Sequence, residues 1–135
     1  IASLYALQKL GTPEGVQAVV SGGAPYDLTW YTHGLITSPY MGGFRDHRLK
    51  EYFEASPSYH VKAGAPPFFL YHAKNDKLVE YAQMTAFDAK LRLHQNFVKR
   101  HKVPFWGHAF AFILYDEAVK KGIKFLDIHL KGNGE

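Results

Sequence analysis

The chain has 135 residues, of which 47% are hydrophobic and 16% aromatic, a composition that supports a packed core and excludes a disordered chain. Its formal net charge of +4 comes from scattered basic residues, and the densest group (Lys120, Lys121, Lys124) is typical of a solvated helix face rather than a nucleic-acid interface. The absence of cysteine excludes disulfides, thiolate metal sites and Cys nucleophiles, and no apolar run reaches the roughly 20 residues of a membrane span.

The first quarter of the chain predicts a helix followed by a strand. Residues 1–10 place apolar side chains near one helical face, and Gly11 would end that helix; the inward side chains would be Ile1, Leu4, Tyr5 and Leu7. Residues 16–20 form a short β-branched run, which predicts a buried strand, and residues 21–25 then break regular structure. Because the chain opens inside a helix without an N-cap, we expect it to be part of a larger protein.

Residues 26–60 show little periodicity, are rich in aromatics and carry several Pro and Gly turn signals. A long irregular segment inside a compact domain is often a lid or a binding loop. The alternative is a set of short helices that cover a small aromatic core. Both interpretations are compatible with the pattern.

The second half predicts strands alternating with helices. The apolar run at 68–72 predicts a strand, residues 80–94 a helix with Met84, Phe87 and Leu91 inward, and residues 96–103 another strand. A closing amphipathic helix would end near Gly132, with its apolar stripe at Val119, Ile123, Leu126 and Leu130. This alternation predicts the α/β class with a mostly parallel sheet and flanking helices.

Two polar residues follow neighbouring predicted strands. Asp76 comes after the strand at 68–72, and His108 comes after the strand at 96–103. The loops after the carboxyl ends of parallel strands carry the chemistry of such sheets, so these side chains could meet. A carboxylate that accepts from one imidazole nitrogen orients the ring, so that the other nitrogen acts as a general base. Spacing alone leaves open that Asp76 is a turn residue and His108 a loop histidine.

The segments L-Y-H-A-K-N-D-K-L-V (70–79) and W-G-H-A-F (106–110) resemble the C-terminal half of an α/β-hydrolase, in the carboxylesterase, lipase and acyl-peptidase branch. V-V-S-G-G-A-P-Y-D-L (19–28) and A-S-P-S-Y-H-V (55–61) are similar to segments around that family's small cap. The resemblance implies that residues 1–135 are a partial α/β-hydrolase domain, with 26–60 as a cap or insert. It also implies that Asp76 is the acid and His108 the base of a catalytic triad.

The nucleophile that this family carries in a G-x-S-x-G turn has no match in the sequence. Ser21 has a Val in place of the first Gly and no helix-forming residues after it, and Ser3 lies within the predicted helix. Since residues 1–5 resemble the helix that follows the nucleophile turn, we expect the serine just upstream of Ile1, in a missing N-terminal half.

The resemblance implies a serine hydrolase that cleaves carboxylic esters through an acyl-enzyme, with no cofactor and no metal. The other hypotheses are a peptidase or arylformamidase-like amidase, and a binding module without turnover. Pocket candidates are Trp106, Tyr26 and Trp30, while His72 would either pack at its strand end or organise the Asp76 loop. The histidines and carboxylate at 33, 46, 47 and 60 lack metal-ligand spacing.

The expected partners are a small ester or amide substrate, and either the missing half of the domain or a second copy of the chain, which would cover an exposed strand edge. By itself the chain would lack triad turnover.

Overall fold

A three-stranded parallel sheet lies at the centre of the computed structural model, which describes residues 1–12, 14–31, 37–104 and 116–131. The sheet order is β1-β2-β3, and the strands are β1 (Val19–Gly22), β2 (Phe68–Ala73) and β3 (Val98–Val103). In register, Val19 lies opposite Phe68, and Phe68 opposite Val98. The predicted α/β class with a parallel sheet is confirmed.

Helices flank the sheet and also occur in the described part of the connection between β1 and β2. The longer ones are α1 (Ala2–Gln8), α4 (Tyr81–Leu93) and α5 (Asp116–Leu130). Between β1 and β2 lie α2 (Ser38–Met41), α3 (Leu49–Ala55) and three 3₁₀ turns, Leu28–Trp30, Arg45–His47 and Pro57–His60. Among the residues described, no helix has the length and apolar character needed to cross a membrane.

Strand β2 is buried on both faces, which explains its uninterrupted apolar run. On one face Phe68 packs edge-to-face against Phe87 of α4, with 5.7 Å between ring centroids. On the other face Phe69 contacts Phe125 of α5, with 5.6 Å between centroids. The predicted inward residues of α4 are confirmed, because Met84, Phe87 and Leu91 are all fully buried.

Strand β1 begins and ends later than predicted. Residues 16–18 lie outside it, whereas Ser21 and Gly22 continue the ladder opposite Leu70 and Tyr71. The prediction that structure breaks at residue 21 was therefore wrong. A glycine is needed at position 22 because the backbone of β1 passes close to the ring of Tyr71. A Cβ on Gly22 would lie 2.1 Å from Cζ of Tyr71. Gly22 is thus a strand residue that makes room for a neighbouring ring.

Helix α5 buries a different stripe from the one predicted. Its buried residues are Ala118, Gly122 and Phe125, while Val119, Ile123 and Leu130 are exposed. The inward stripe is therefore shifted by one residue. Small residues are favoured there because the helix packs closely on the sheet, and a Cβ on Gly122 would lie 3.0 Å from Cγ1 of Val20. The predicted end at Gly132 lies outside the described residues.

The buried face of α1 and the start of β3 also differ from the predictions. Helix α1 is confirmed, but it buries Ser3, Ala6 and Leu7, while Ile1 and Tyr5 are exposed. Strand β3 starts at Val98, and Phe97, at 57% exposure, precedes it.

The described part of the connection between β1 and β2 contains several short helical segments, as one of the two interpretations predicted. Tyr52 of α3 is fully buried and donates a hydrogen bond to the Gly43 carbonyl (3.1 Å). Phe53 and Tyr59 meet edge-to-face, with 4.5 Å between centroids. Residues 26–60, hereafter the insert, therefore have internal packing of their own in their described part, and their role as a cap stays a prediction.

Candidate active site

The loop after β2 and the chain after β3 leave the sheet at the same edge. Ala73 lies opposite Val103 in the ladder, and the Lys74 amide donates to the Val103 carbonyl at 3.1 Å. Asp76 follows three residues after β2, in residues 74–80, hereafter the acid loop. His108 and Trp106 lie outside the described residues, so their positions stay predictions.

The Asp76 carboxylate is held inside the acid loop. Its side chain is 1% exposed, and Oδ1 accepts hydrogen bonds from the amides of Leu78 and Val79, both at 2.9 Å. Removing a carboxylate from water is costly unless hydrogen-bond donors replace the solvent. The two amides supply such donors, and they orient the carboxylate through the backbone of its own loop.

A buried histidine contacts the same carboxylate. Nε2 of His72 lies 2.8 Å from the Val79 carbonyl oxygen and 3.3 Å from Oδ2 of Asp76. Since a carbonyl only accepts, Nε2 carries the proton. The ring also packs edge-to-face against Tyr81 (6.0 Å between centroids). Both interpretations of His72 thus apply, because it is packed at its strand end and it contacts the acid loop.

The start of the insert lies against the first turn of α4, which directly follows the acid loop. Gln83 is 1% exposed; its Oε1 accepts from the amides of Tyr26 (3.1 Å) and Asp27 (2.8 Å), and its Nε2 donates to the Asp27 carbonyl (2.8 Å). Burial, followed by the negative charges of Glu80 and Asp76, raises the pKa of Tyr31. The insert and the acid loop are therefore neighbours.

The pocket candidates of the insert differ in exposure. Tyr26 has no exposed surface; its hydroxyl donates to Oγ of Ser21 at 2.9 Å. Trp30 lies in a 3₁₀ turn and is 46% exposed. A pocket role for either residue stays a prediction, and the packing of Tyr26 does not support it. Two serines are likewise internal: Ser21 lies within β1 at 9% exposure, and Ser3 lies within α1 at 3%.

An apolar hollow of about 370 Å³ separates α1 from the insert. Its walls include Ile1 and Leu4 of α1 together with Leu28, Tyr40 and Met41 of the insert. None of the described acid-loop residues lines it. The described residues also include no cluster of three or more His, Asp or Glu side chains that could hold a metal ion. Among these features of the described residues, the acid loop is therefore where we place the candidate active site.

Comparisons with known proteins agree with this architecture. The model of the BD-FAE family matches residues 6–91. The chain is 40% identical over 67 residues to LipM of Mycobacterium tuberculosis, described as a probable carboxylic ester hydrolase; this match covers 49% of the chain and 16% of LipM.

Solved structures with the same fold include two hydrolases. The chain superposes on the esterase Est2 of Thermogutta terrifontis with a TM-score of 0.70 and 20% identity, covering 99% of this chain and 53% of Est2. It superposes on an acylaminoacyl peptidase with a TM-score of 0.76 and 20% identity, covering 98% of this chain and 23% of the peptidase. The chain thus spans about half of Est2 and smaller shares of the other two proteins.

Proposed function

Since this chain belongs to the BD-FAE family and has the fold of the C-terminal part of an α/β-hydrolase, we propose that its protein hydrolyses carboxylic esters through an acyl-enzyme. Asp76 is the triad acid and His108 the triad base in this proposal. The nucleophile is a serine outside this chain, because the sequence contains no G-x-S-x-G turn. The LipM and Est2 descriptions as ester hydrolases support the choice of reaction.

The observation that carries the proposal is the buried carboxylate of Asp76 at the carboxyl end of β2. Two backbone amides hold it at 2.9 Å, so its orientation is set by the fold rather than by solvent. Because β3 is parallel to β2 and adjacent to it, the chain that leads to His108 departs from the same sheet edge. This topology supports a meeting of carboxylate and imidazole.

In the proposed mechanism, His108 takes the hydroxyl proton as the serine oxygen attacks the ester carbonyl carbon. The tetrahedral intermediate then expels the alcohol, to which His108 returns the proton. Water attacks the acyl-enzyme by the same route and releases the acid. Asp76 accepts a hydrogen bond from the other imidazole nitrogen, which fixes the tautomer and stabilises the imidazolium.

The test is hydrolysis of p-nitrophenyl acetate by the full-length protein and its variants. We expect Asp76→Asn to lower kcat by about 10⁴-fold and His108→Gln by about 10⁶-fold, as loss of the acid and of the base of a serine-hydrolase triad do. The matched controls are Asp46→Asn and His47→Gln, two exposed residues of the insert, which should keep wild-type rates. Full activity in the Asp76 or His108 variants would refute the assignment.

Two further measurements separate the competing functions. A fluorophosphonate label should be incorporated once per chain, and peptide mapping should locate it outside residues 1–135. Such a probe is suitable because T. terrifontis esterase 2 has been phosphonylated by sarin. Faster turnover of a matched p-nitroanilide than of the ester would instead indicate an amidase. Absence of both labelling and turnover would indicate a binding module.

A further inference from the structure

We propose that His72 is a positioning residue for catalysis, and that its imidazole sets the orientation of the Asp76 carboxylate by joining the two ends of the acid loop. This inference rests on the proposed function, since it assigns His72 a role in the same triad. His72 would not touch the substrate, because its side chain is fully buried.

The geometry closes the acid loop on itself. His72 lies near the end of β2, and its Nε2–H donates across the loop to the carbonyl of Val79 at 2.8 Å. Val79 in turn donates its amide to Oδ1 of Asp76 at 2.9 Å. The imidazole therefore fixes the peptide unit at the far end of the loop, and the amide of the same residue fixes the carboxylate.

The same imidazole also acts directly on the carboxylate. Oδ2 of Asp76 lies 3.3 Å from the protonated Nε2 of His72, while Oδ1 faces the two loop amides. The two amides thus hold Oδ1, and the Nε2 edge of the imidazole faces Oδ2. A carboxylate offers about four lone-pair sites, so the two amide hydrogen bonds to Oδ1 are compatible with a hydrogen bond from His108 in the proposed triad.

Burial gives these contacts their strength. The side chains of His72 and Asp76 are 0% and 1% exposed, and the ring of Tyr81 packs against the imidazole. Water cannot readily replace a lost donor at such a site, so an apolar residue at position 72 would leave the Val79 carbonyl unsatisfied and would loosen the loop. Misplacement of a catalytic group lowers the rate even when the group is retained.

The first test compares His72→Phe, which keeps a ring but removes the donor, with His72→Gln, whose amide nitrogen can donate from near the Nε2 position. We expect His72→Phe to lower kcat of the full-length protein for p-nitrophenyl acetate by about 10- to 100-fold, with KM nearly unchanged, as loss of an orienting partner does. His72→Gln should recover most of that loss. The control is His101→Gln, an imidazole on β3 that faces the opposite side of the sheet and should keep wild-type kcat.

The second readout is the pH profile of kcat/KM, because a merely structural role would leave its midpoint unchanged. A well-placed Asp76 stabilises the imidazolium of His108 and thus raises its pKa. Displacement of the carboxylate in His72→Phe should therefore move the acidic limb to lower pH. Wild-type kcat and an unmoved limb in His72→Phe, beside an inactive Asp76→Asn, would overturn the inference and leave the triad assignment intact.

If His72→Phe does not fold, His72→Gln and His72→Asn carry the test. The shorter Asn amide cannot reach the Val79 carbonyl as the imidazole does, so its kcat should fall below that of His72→Gln. Equal kcat values in the two variants would refute the positioning role. Phosphonate titration gives the fraction of active sites, so that each rate is corrected for unfolded protein.

Discussion

The ring of Tyr26 lies parallel to the ring of Phe87, with 4.2 Å between centroids and 4° between planes. This stack attaches the first residue of the insert to the middle of α4, the helix that follows the acid loop. The Tyr26 hydroxyl reaches Ser21 on β1, and its burial raises the Tyr26 pKa. One neutral phenol therefore joins the strand, the insert and the helix.

Truncation of this ring should destabilise the protein. Tyr26→Ala removes a fully buried aromatic side chain, and we expect the free energy of unfolding to fall by about 3–5 kcal/mol. Tyr26→Phe keeps the stack but leaves the Ser21 hydroxyl without this donor, at a cost of about 1 kcal/mol. Urea unfolding of the full-length variants measures both changes. Equal losses in the two variants would show that the ring contributes little.

Gln83 provides a second test of how the insert is held. Gln83→Leu removes three hydrogen bonds to the backbone of Tyr26 and Asp27 and leaves buried groups unpaired, so we expect a loss of about 2–4 kcal/mol in the free energy of unfolding. Gln17→Leu, at an exposed position, is the matched control. Limited proteolysis should cut the insert faster only in the Gln83 variant. Resistance equal to that of the control would contradict this account.

Gly22 and Tyr71 should behave as a coupled pair. The Cβ introduced by Gly22→Ala would lie 2.1 Å from Cζ of Tyr71, and overpacking of this kind costs about 1–3 kcal/mol or more. Replacing the ring as well, in Gly22→Ala/Tyr71→Leu, should remove the clash. A double-mutant cycle of unfolding free energies should therefore show a favourable coupling of about 1 kcal/mol or more. Strict additivity would argue against the close approach.

His101 gives the described part of the fold a pH dependence. Burial and the positive charge of Lys121, whose Nζ lies 3.3 Å from Nδ1 of His101, lower the His101 pKa against an opposing effect of Glu117. The folded state therefore binds fewer protons than the unfolded state, for which the pKa is about 6.5. This contribution to stability is complete above that pH and is lost as the pH falls towards the lowered pKa of the folded state.

We expect Lys121→Gln to raise the His101 pKa, as measured by the imidazole proton shifts in an NMR titration. His101→Gln should flatten the decline in unfolding free energy between about pH 7 and pH 5. An unchanged His101 pKa in Lys121→Gln would show that burial alone causes the shift. The exposed Lys50→Gln is the control, and it should leave the titration unaltered.

Much of the sheet and of α4 could be predicted from the sequence because the relevant signals are local. The apolar run of β2 and the 3.6-residue spacing of Met84, Phe87 and Leu91 require burial wherever the segments dock. The prediction of the buried stripe of α5 was wrong because that stripe is decided by residues distant in the chain. Which stripe packs inward depends on how closely the helix approaches Val20, and periodicity does not report this when two adjacent stripes are both acceptable.

The candidate site likewise has one feature that the sequence predicted and one that only the structure decided. Asp76 was predicted to be a site residue for two reasons. It follows a buried strand, and its segment resembles the loop that carries the triad acid in α/β-hydrolases. The sequence left open whether His72 packs at its strand end or organises the Asp76 loop, because the four-residue spacing of H-x-x-x-D across the turn is compatible with both. Histidines occur at strand ends for many reasons, so only the direction of the imidazole could distinguish packing from loop closure.

The sequence by itself determined that this protein alternates strands and helices around a parallel sheet, and that Asp76 follows one of its strands. These properties depend on hydrophobic periodicity and turn chemistry, which act over a few residues. Only the tertiary structure decided that Gly22 continues β1, that Ala118, Gly122 and Phe125 face the sheet, and that His72 closes the acid loop. Those outcomes depend on the fit between side chains that are distant in the chain or face each other across a turn, and this fit exists only after the elements have packed.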